Sequence, residues 1–200
     1  MGDDYCTPLT ALRADLKRAA AKLGGSRLRR FFDCLRSPGV HAVTVLRFGQ
    51  WAQRLPAPLR WPLGVVYVVL NGSVKILWGI EIPRQTRIGP GLYIGHFGGI
   101  VVSGLAQIGR NCSLSQGVTI GAAGVGERAG APVIGDDVYL APGAKVFGAI
   151  RIGHNVKIGA NAVVHKDLPD NAVAALVPGF TIVSMKGNRP VDASDAGDGA

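Results

Sequence analysis

From Ile82 to Val164 an apolar residue returns at every sixth position, and this rhythm restricts the possible folds more than any other feature of the chain. The marked positions are Ile82, Ile88 and Ile94, then Val102, Ile108, Leu114 and Ile120, then Ile134, Leu140, Val146, Ile152, Ile158 and Val164. Four residues after most markers stands a small or apolar side chain: Thr86, Ala106, Cys112, Val118, Val138, Ala144, Val156 or Ala162. A period of six matches neither the 3.6-residue turn of an amphipathic helix nor the two-residue alternation of a half-buried strand. It matches a solenoid of short parallel strands that turns a corner every six residues.

Two irregularities break the period. Ile94 and Val102 are separated by two extra residues, around His96-Phe97-Gly98-Gly99, and the stretch from Ile120 to Ile134 contains the glycine-rich run Gly121 to Pro132. The second is expected to leave the prism as a loop, and loops on stiff scaffolds often carry binding residues. The chain divides by composition into an N-terminal helical region (1–80), a solenoid domain (81–185) and a small, polar tail (186–200) expected to be disordered. The helical region breaks at Gly24-Gly25. Ser37-Pro38 is a helix start, with a capping serine followed by proline in the first turn. Pro56 and Pro58 mark the next break. The apolar run Trp61–Ile80 approaches the length of a membrane span, but Gly64, Asn71-Gly72 and Lys75 interrupt it. A helix buried beside the solenoid, or facing a membrane, is expected instead.

The chain has 200 residues, is 48% hydrophobic and carries a formal charge of +9, concentrated near the N-terminus. Arg13, Lys17, Arg18, Lys22, Arg27, Arg29, Arg30 and Arg36 face only Asp15 and Asp33 in that stretch. Such a region is a solvated helix face or meets an acidic membrane surface, an anionic substrate or nucleic acid. Nucleic acid is the weakest of these, because neither a zinc finger nor an aromatic RNA-binding motif accompanies the charge. Three cysteines without a CxxC pair give neither a disulfide framework nor a structural zinc site, so no metal is expected. The N-terminus has no basic-then-apolar leader. A cytoplasmic location, with the inner face of the membrane as a variant, is the expectation.

The acid inventory is sparse. Between Asp33 and Glu127 the only carboxylate is Glu81, fifteen residues before His96. Fifteen residues is slightly less than one solenoid coil, which would put the two on neighbouring rungs. A carboxylate behind an imidazole fixes its tautomer and stabilises the imidazolium, and an imidazole so held is a good general base near neutral pH. No GxSxG elbow supplies a nucleophile. Direct attack by an acceptor hydroxyl is therefore the simplest scheme. His154 falls on an ordinary turn, and His41 belongs to a helix and reads as structural.

The repeat resembles that of the hexapeptide acyltransferases, whose fold is a left-handed parallel β-helix. Within them the chain is most similar to the serine acetyltransferase branch. Gly39 to Trp51 resembles that branch's helical G-x-H-A…R-x-G-x-W motif, Gly79-Ile-Glu-Ile82 its acidic strand, and Gly95-His-Phe-Gly-Gly-Ile-Val-Val102 its catalytic histidine segment. The resemblance implies an acetyl-CoA-dependent O-acetyltransferase in which His96 is the base and Glu81 orients it. It implies a homotrimer or a dimer of trimers with CoA between adjacent prisms, lined near Ala141, Ala160, His165 and Lys166. The chain departs from the branch at Gly95, where an aspartate is usual, and at Gly130-Ala131, where an Arg-His pair is usual. It also lacks a clear acidic equivalent in the helical part. Without those charges a zwitterionic acceptor loses charge-assisted hydrogen bonds. The expectation drawn is a sugar hydroxyl of an exopolysaccharide or glycan precursor, with peripheral membrane contact. O-acetylation of L-serine for cysteine synthesis and a non-catalytic β-helix binding module are the alternatives.

Overall fold

The computed structural model describes residues 7–124 and 129–176; the expected disordered tail lies outside them. Four helices come first: α1 (Pro8–Lys22), α2 (Arg27–Arg36), α3 (Pro38–Ala52) and α4 (Ala57–Trp78). Gly24-Gly25 separates α1 from α2 as expected. Ser37 does occupy the cap position of α3, but its side chain makes no capping hydrogen bond. The helix start there rests on Pro38, whose fixed φ suits the first turn and whose missing N–H costs nothing there. Pro56 precedes α4, and Pro58 is absorbed into its first turn.

Gly79 ends α4 in the left-handed conformation, and the solenoid begins at the next residue. Its strands are β1 (Ile80–Glu81), β2 (Arg87–Ile88), β3 (Tyr93–Ile94), β4 (Ile100–Val102), β5 (Gln107–Ile108), β6 (Ser113–Leu114) and β7 (Thr119–Gly121). They continue as β8 (Val133–Ile134), β9 (Tyr139–Leu140), β10 (Lys145–Phe147), β11 (Arg151–Ile152), β12 (Lys157–Ile158), β13 (Val163–Val164) and β14 (Val173–Ala174). They assemble into three parallel sheets. The first face is β1-β4-β7-β10-β13, the second β2-β5-β8-β11 and the third β3-β6-β9-β12-β14. The fold is a left-handed parallel β-helix with a helical cap.

Every marker residue of the six-residue rhythm is buried, and so are the small residues four positions later. The markers pair in register from coil to coil: Ile94 with Leu114, Leu114 with Leu140, and Leu140 with Ile158. The prism interior is thus filled by stacked aliphatic side chains, one per strand per rung. The corners need residues that tolerate positive φ. Asn111, Asp137, Asn155 and Asn171 supply them in the column that begins at Gly91. Asn and Asp enter this region more readily than other side-chain-bearing residues because their short polar groups bond locally. At Gly91 (φ +84) a methyl group would also run into Asn111.

The cap is joined to the first coil by a buried ion pair. Arg47 of α3 donates from Nε to Asp15 Oδ2 of α1 at 2.8 Å and from its two amino groups to the carbonyls of Ile88 (2.8 Å) and Gly89 (2.7 Å). Asp15 Oδ1 in turn accepts from the backbone N–H of Gly91 and of Leu92, both at 2.7 Å. Both charges are thus fully hydrogen-bonded where neither reaches water. Gly49 of α3 lies against the Tyr67 ring of α4 so closely that a Cβ has no room.

Candidate active site

The C-terminal edge of the third face turns into the first face through one column of corners. His96 stands two residues after Ile94 in β3, and the register puts Gln116, Pro142 and Ala160 in the same place on successive coils. Successive rungs are about 4.8 Å apart, so Ala160 lies ~14 Å along the edge from His96, three rungs on. Ala141, one residue after Leu140, flanks the column. His96 is exposed on the corner Gly95–Gly99. That corner is fixed from beneath by Gly117 N–H donating to the Gly98 carbonyl at 2.7 Å. Lys145 braces the next corner, donating from Nζ to the Gly117 carbonyl (2.6 Å) and to Thr119 Oγ1 (2.9 Å). Among the described residues, Gln116 Oε1 in this column is buried without a hydrogen-bond partner.

Glu81 is on the first face, paired in register with Val101, so it sits one rung from the strand that follows His96. The expected direct contact between the two is not made. Glu81 Oε1 instead accepts from Lys75 Nζ of α4 at 2.6 Å, and no oxygen of Glu81 comes within ion-pair distance of the His96 ring. The cause is the strand alternation. Ile80 and Ile82 turn into the prism, so Glu81 turns outward, toward the last turn of α4 where Lys75 waits. The extra residues of the first coil add to this: β1 and β4 are 20 positions apart in register, from Ile80 to Ile100, rather than a regular three hexads.

His165 and Lys166 lie elsewhere. They follow β13 at the corner between the first and second faces, where both are exposed and the His165 ring stacks on Phe147 at 6.3 Å. One chain therefore brings His96, Ala141 and Ala160 onto one edge and His165 with Lys166 onto another. In the glycine-rich insertion Ala123 pairs antiparallel with Gly130, and residues 125–128 lie outside the described residues. His154 Nδ1 accepts from the Asp136 N–H at 3.0 Å, a turn role. His41 rests on Trp78, with ring centroids 4.9 Å apart, and its Nε2 lies 2.6 Å from the Leu35 carbonyl. Sequence reasoning missed Lys75, Gln116 and Lys145. Lys75 appeared there only as a blemish in an apolar run, although a lysine six residues before a lone acid at a helix end was a usable signal.

A family model described as bacterial transferase hexapeptide (six repeats) matches residues 131–166. The serine acetyltransferase of Mycobacterium tuberculosis is 36% identical over 178 residues, covering 87% of this chain and 73% of that protein. The chain belongs to the serine acetyltransferase family of hexapeptide-repeat transferases. Among solved structures, serine acetyltransferase isoform 3 from Entamoeba histolytica, in complex with cysteine, superposes with a TM-score of 0.70 at 28% identity. That match covers 89% of this chain and 61% of the other, so the chain spans less than two thirds of that relative's length. The serine acetyltransferase of Brucella abortus in complex with coenzyme A gives a TM-score of 0.69 at 29% identity over 85% of this chain and 65% of the other.

These likenesses overturn the expected sugar acceptor and its polysaccharide pathway. That expectation rested on charges missing at Gly95 and Gly130-Ala131 and on the lack of a clear acidic equivalent in the helical part. The similarity covers 87% of the chain in one relative and 89% in a solved structure, and both are proteins named for serine. Three local departures do not outweigh it.

Proposed function

We propose that the protein is an acetyl-CoA-dependent serine O-acetyltransferase. Its kinship with serine acetyltransferases supports this reading, as does the coenzyme A complex of the Brucella relative. The observation that carries the site assignment is the corner column, which sets an exposed imidazole at one end of an edge and Gln116, Pro142 and Ala160 along the next three rungs. An extended thioester arm can lie on such an edge.

In the proposed reaction His96 takes the proton from the serine hydroxyl as its oxygen attacks the acetyl carbonyl carbon. The C–S bond then breaks and the proton passes to the CoA sulfur, giving O-acetylserine and free CoA with no acyl-enzyme. Glu81, paired with Lys75 here, is the proposed positioning acid, a role that requires its carboxylate to turn from Lys75 to the His96 ring. His165 and Lys166 are proposed to meet the CoA phosphates, where a lysine acts as a compact cation. They and Ala160 occupy different edges of one prism. A CoA molecule touching both groups therefore bridges neighbouring prisms, which favours a trimer, for which sedimentation should give three times the chain mass.

The test is thiol release from acetyl-CoA with L-serine. His96→Ala should lower kcat by about a hundredfold or more. Undiminished turnover in that variant, or thiol release indifferent to serine, would refute the reading.

A further inference from the structure

The helical cap leaves a large apolar surface uncovered. In α4 only Tyr67 and Val74 are buried, although the helix is 22 residues long. Trp61 is 75% exposed and Ile76 86%, with Val65, Val68, Val69 and Leu77 also out. No residue of α2 is buried, and Leu28, Phe31, Phe32 and Leu35 all face outward. The two helices flank an open groove of about 730 Å³, in which Phe31 and Leu35 oppose Leu70 and Trp78. Soluble monomers rarely display contiguous apolar patches of this kind without a use for them.

We propose that this face docks the protein on an anionic lipid surface, with α2 lying in the headgroup layer and the exposed flank of α4 beside it. The charge on the helices selects this partner. Among the described helical residues the only acids are Asp15, buried and paired with Arg47, and Asp33, 3.7 Å from Arg29. Around the apolar side chains stand Arg27, Arg29, Arg30 and Arg36 of α2, and Arg60 of α4. A second copy of the chain laid on this face would set arginines against arginines. An anionic leaflet supplies the missing negative charge, and a basic helix with aromatic and aliphatic residues on its other side is the form that binds there. The helix α4 lies on the surface rather than crossing it. Tyr67 fits against Gly49, and Gly79 passes the chain directly into β1, so the middle and the C-terminal end of the helix stay tied to the folded domain. The inference is independent of the acceptor.

The full-length chain is mixed with vesicles of pure phosphatidylcholine and with vesicles containing about one third phosphatidylglycerol, then sedimented. Binding to the anionic vesicles, reversed by about 0.5 M NaCl, is expected. Combined Arg27→Gln, Arg29→Gln and Arg30→Gln should weaken partitioning at least about tenfold, since each cation near such a surface adds on the order of 1 kcal/mol. Phe31→Ser with Trp61→Ser should abolish binding. Arg27, Arg29, Phe31 and Trp61 are exposed and Arg30 is half-buried, and none belongs to the His96 column, so thiol release in solution should be unchanged and serves as the folding control. Equal binding to neutral vesicles would overturn the proposal. So would a wild-type protein that ignores both vesicles while Trp61→Ser breaks an oligomer, which would assign the face to a second copy.

Discussion

Replacing Arg47 by methionine tests how the cap is fastened to the prism. The methionine keeps most of the volume and removes the guanidinium. Asp15 would retain its bonds from Gly91 and Leu92 but would lose its counter-charge while remaining 2% exposed. The carbonyls of Ile88 and Gly89 would lose their donors as well. Breaking a buried pair on one side costs about 3–5 kcal/mol. For a chain of this length each kcal/mol lowers the melting temperature by roughly 2–4 °C, so a fall of about 6–20 °C is expected. Asp15→Ala should cost a comparable amount. The double variant should be less destabilised than the two single losses added together, by on the order of 1–3 kcal/mol, because neither charge is then left alone. Urea unfolding followed by circular dichroism measures all three. Because the pair is shielded from solvent, raising the salt concentration should leave these differences nearly intact. A loss below about 1 kcal/mol for Arg47→Met, or strict additivity in the cycle, would refute the reasoning.

Three further outcomes are expected. Burial, the largest cause, pushes the Cys112 thiol up to about 11. It should therefore resist alkylation in the folded protein at pH 8. Because the folded value lies above the unfolded one, its contribution to stability is complete below about pH 9 and is lost as pH rises toward 11; a stability profile without that decline would contradict it. Gly91→Ala forces an alanine to φ +84 beside Asn111 and should destabilise the fold by about 2 kcal/mol or more, read from urea midpoints. Glu81→Gln should lower kcat with little change in the serine KM and should alter the acidic limb of the pH–rate profile, whereas Lys75→Met should be milder. Identical profiles for Glu81→Gln and wild type would remove Glu81 from catalysis.

The prism was legible because its constraint is local and periodic. Each strand contributes one inward side chain per coil, so Ile82 to Val164 announce themselves in the sequence without any long-range information. The corner at His96 was legible for the same reason, as a fault in that period. The Glu81–Lys75 pair was not, because it depends on where the end of α4 meets the first coil, a tertiary fact with no period. Arg47 shows the same limit. It was seen as one letter in a helical motif, but its partners Asp15, Ile88 and Gly89 are 32 to 42 positions away. The acceptor was misjudged because absent charges at Gly95 and Ala131 say what a site lacks, not what holds the ligand in their place.

The helices seal only one mouth of the β-helix. At the other, among the described residues, β13 has no strand partner beyond it and β14 pairs on one side alone. In a stack where each layer is supported by its neighbours, melting starts where a neighbour is missing. Amide exchange should therefore be fastest from β13 onward and slow progressively toward β1. Ala160 and His165 lie on that loosest terminal layer. A coenzyme bound there would act as a capstone, and its affinity would register as slowed exchange several layers away from where it sits.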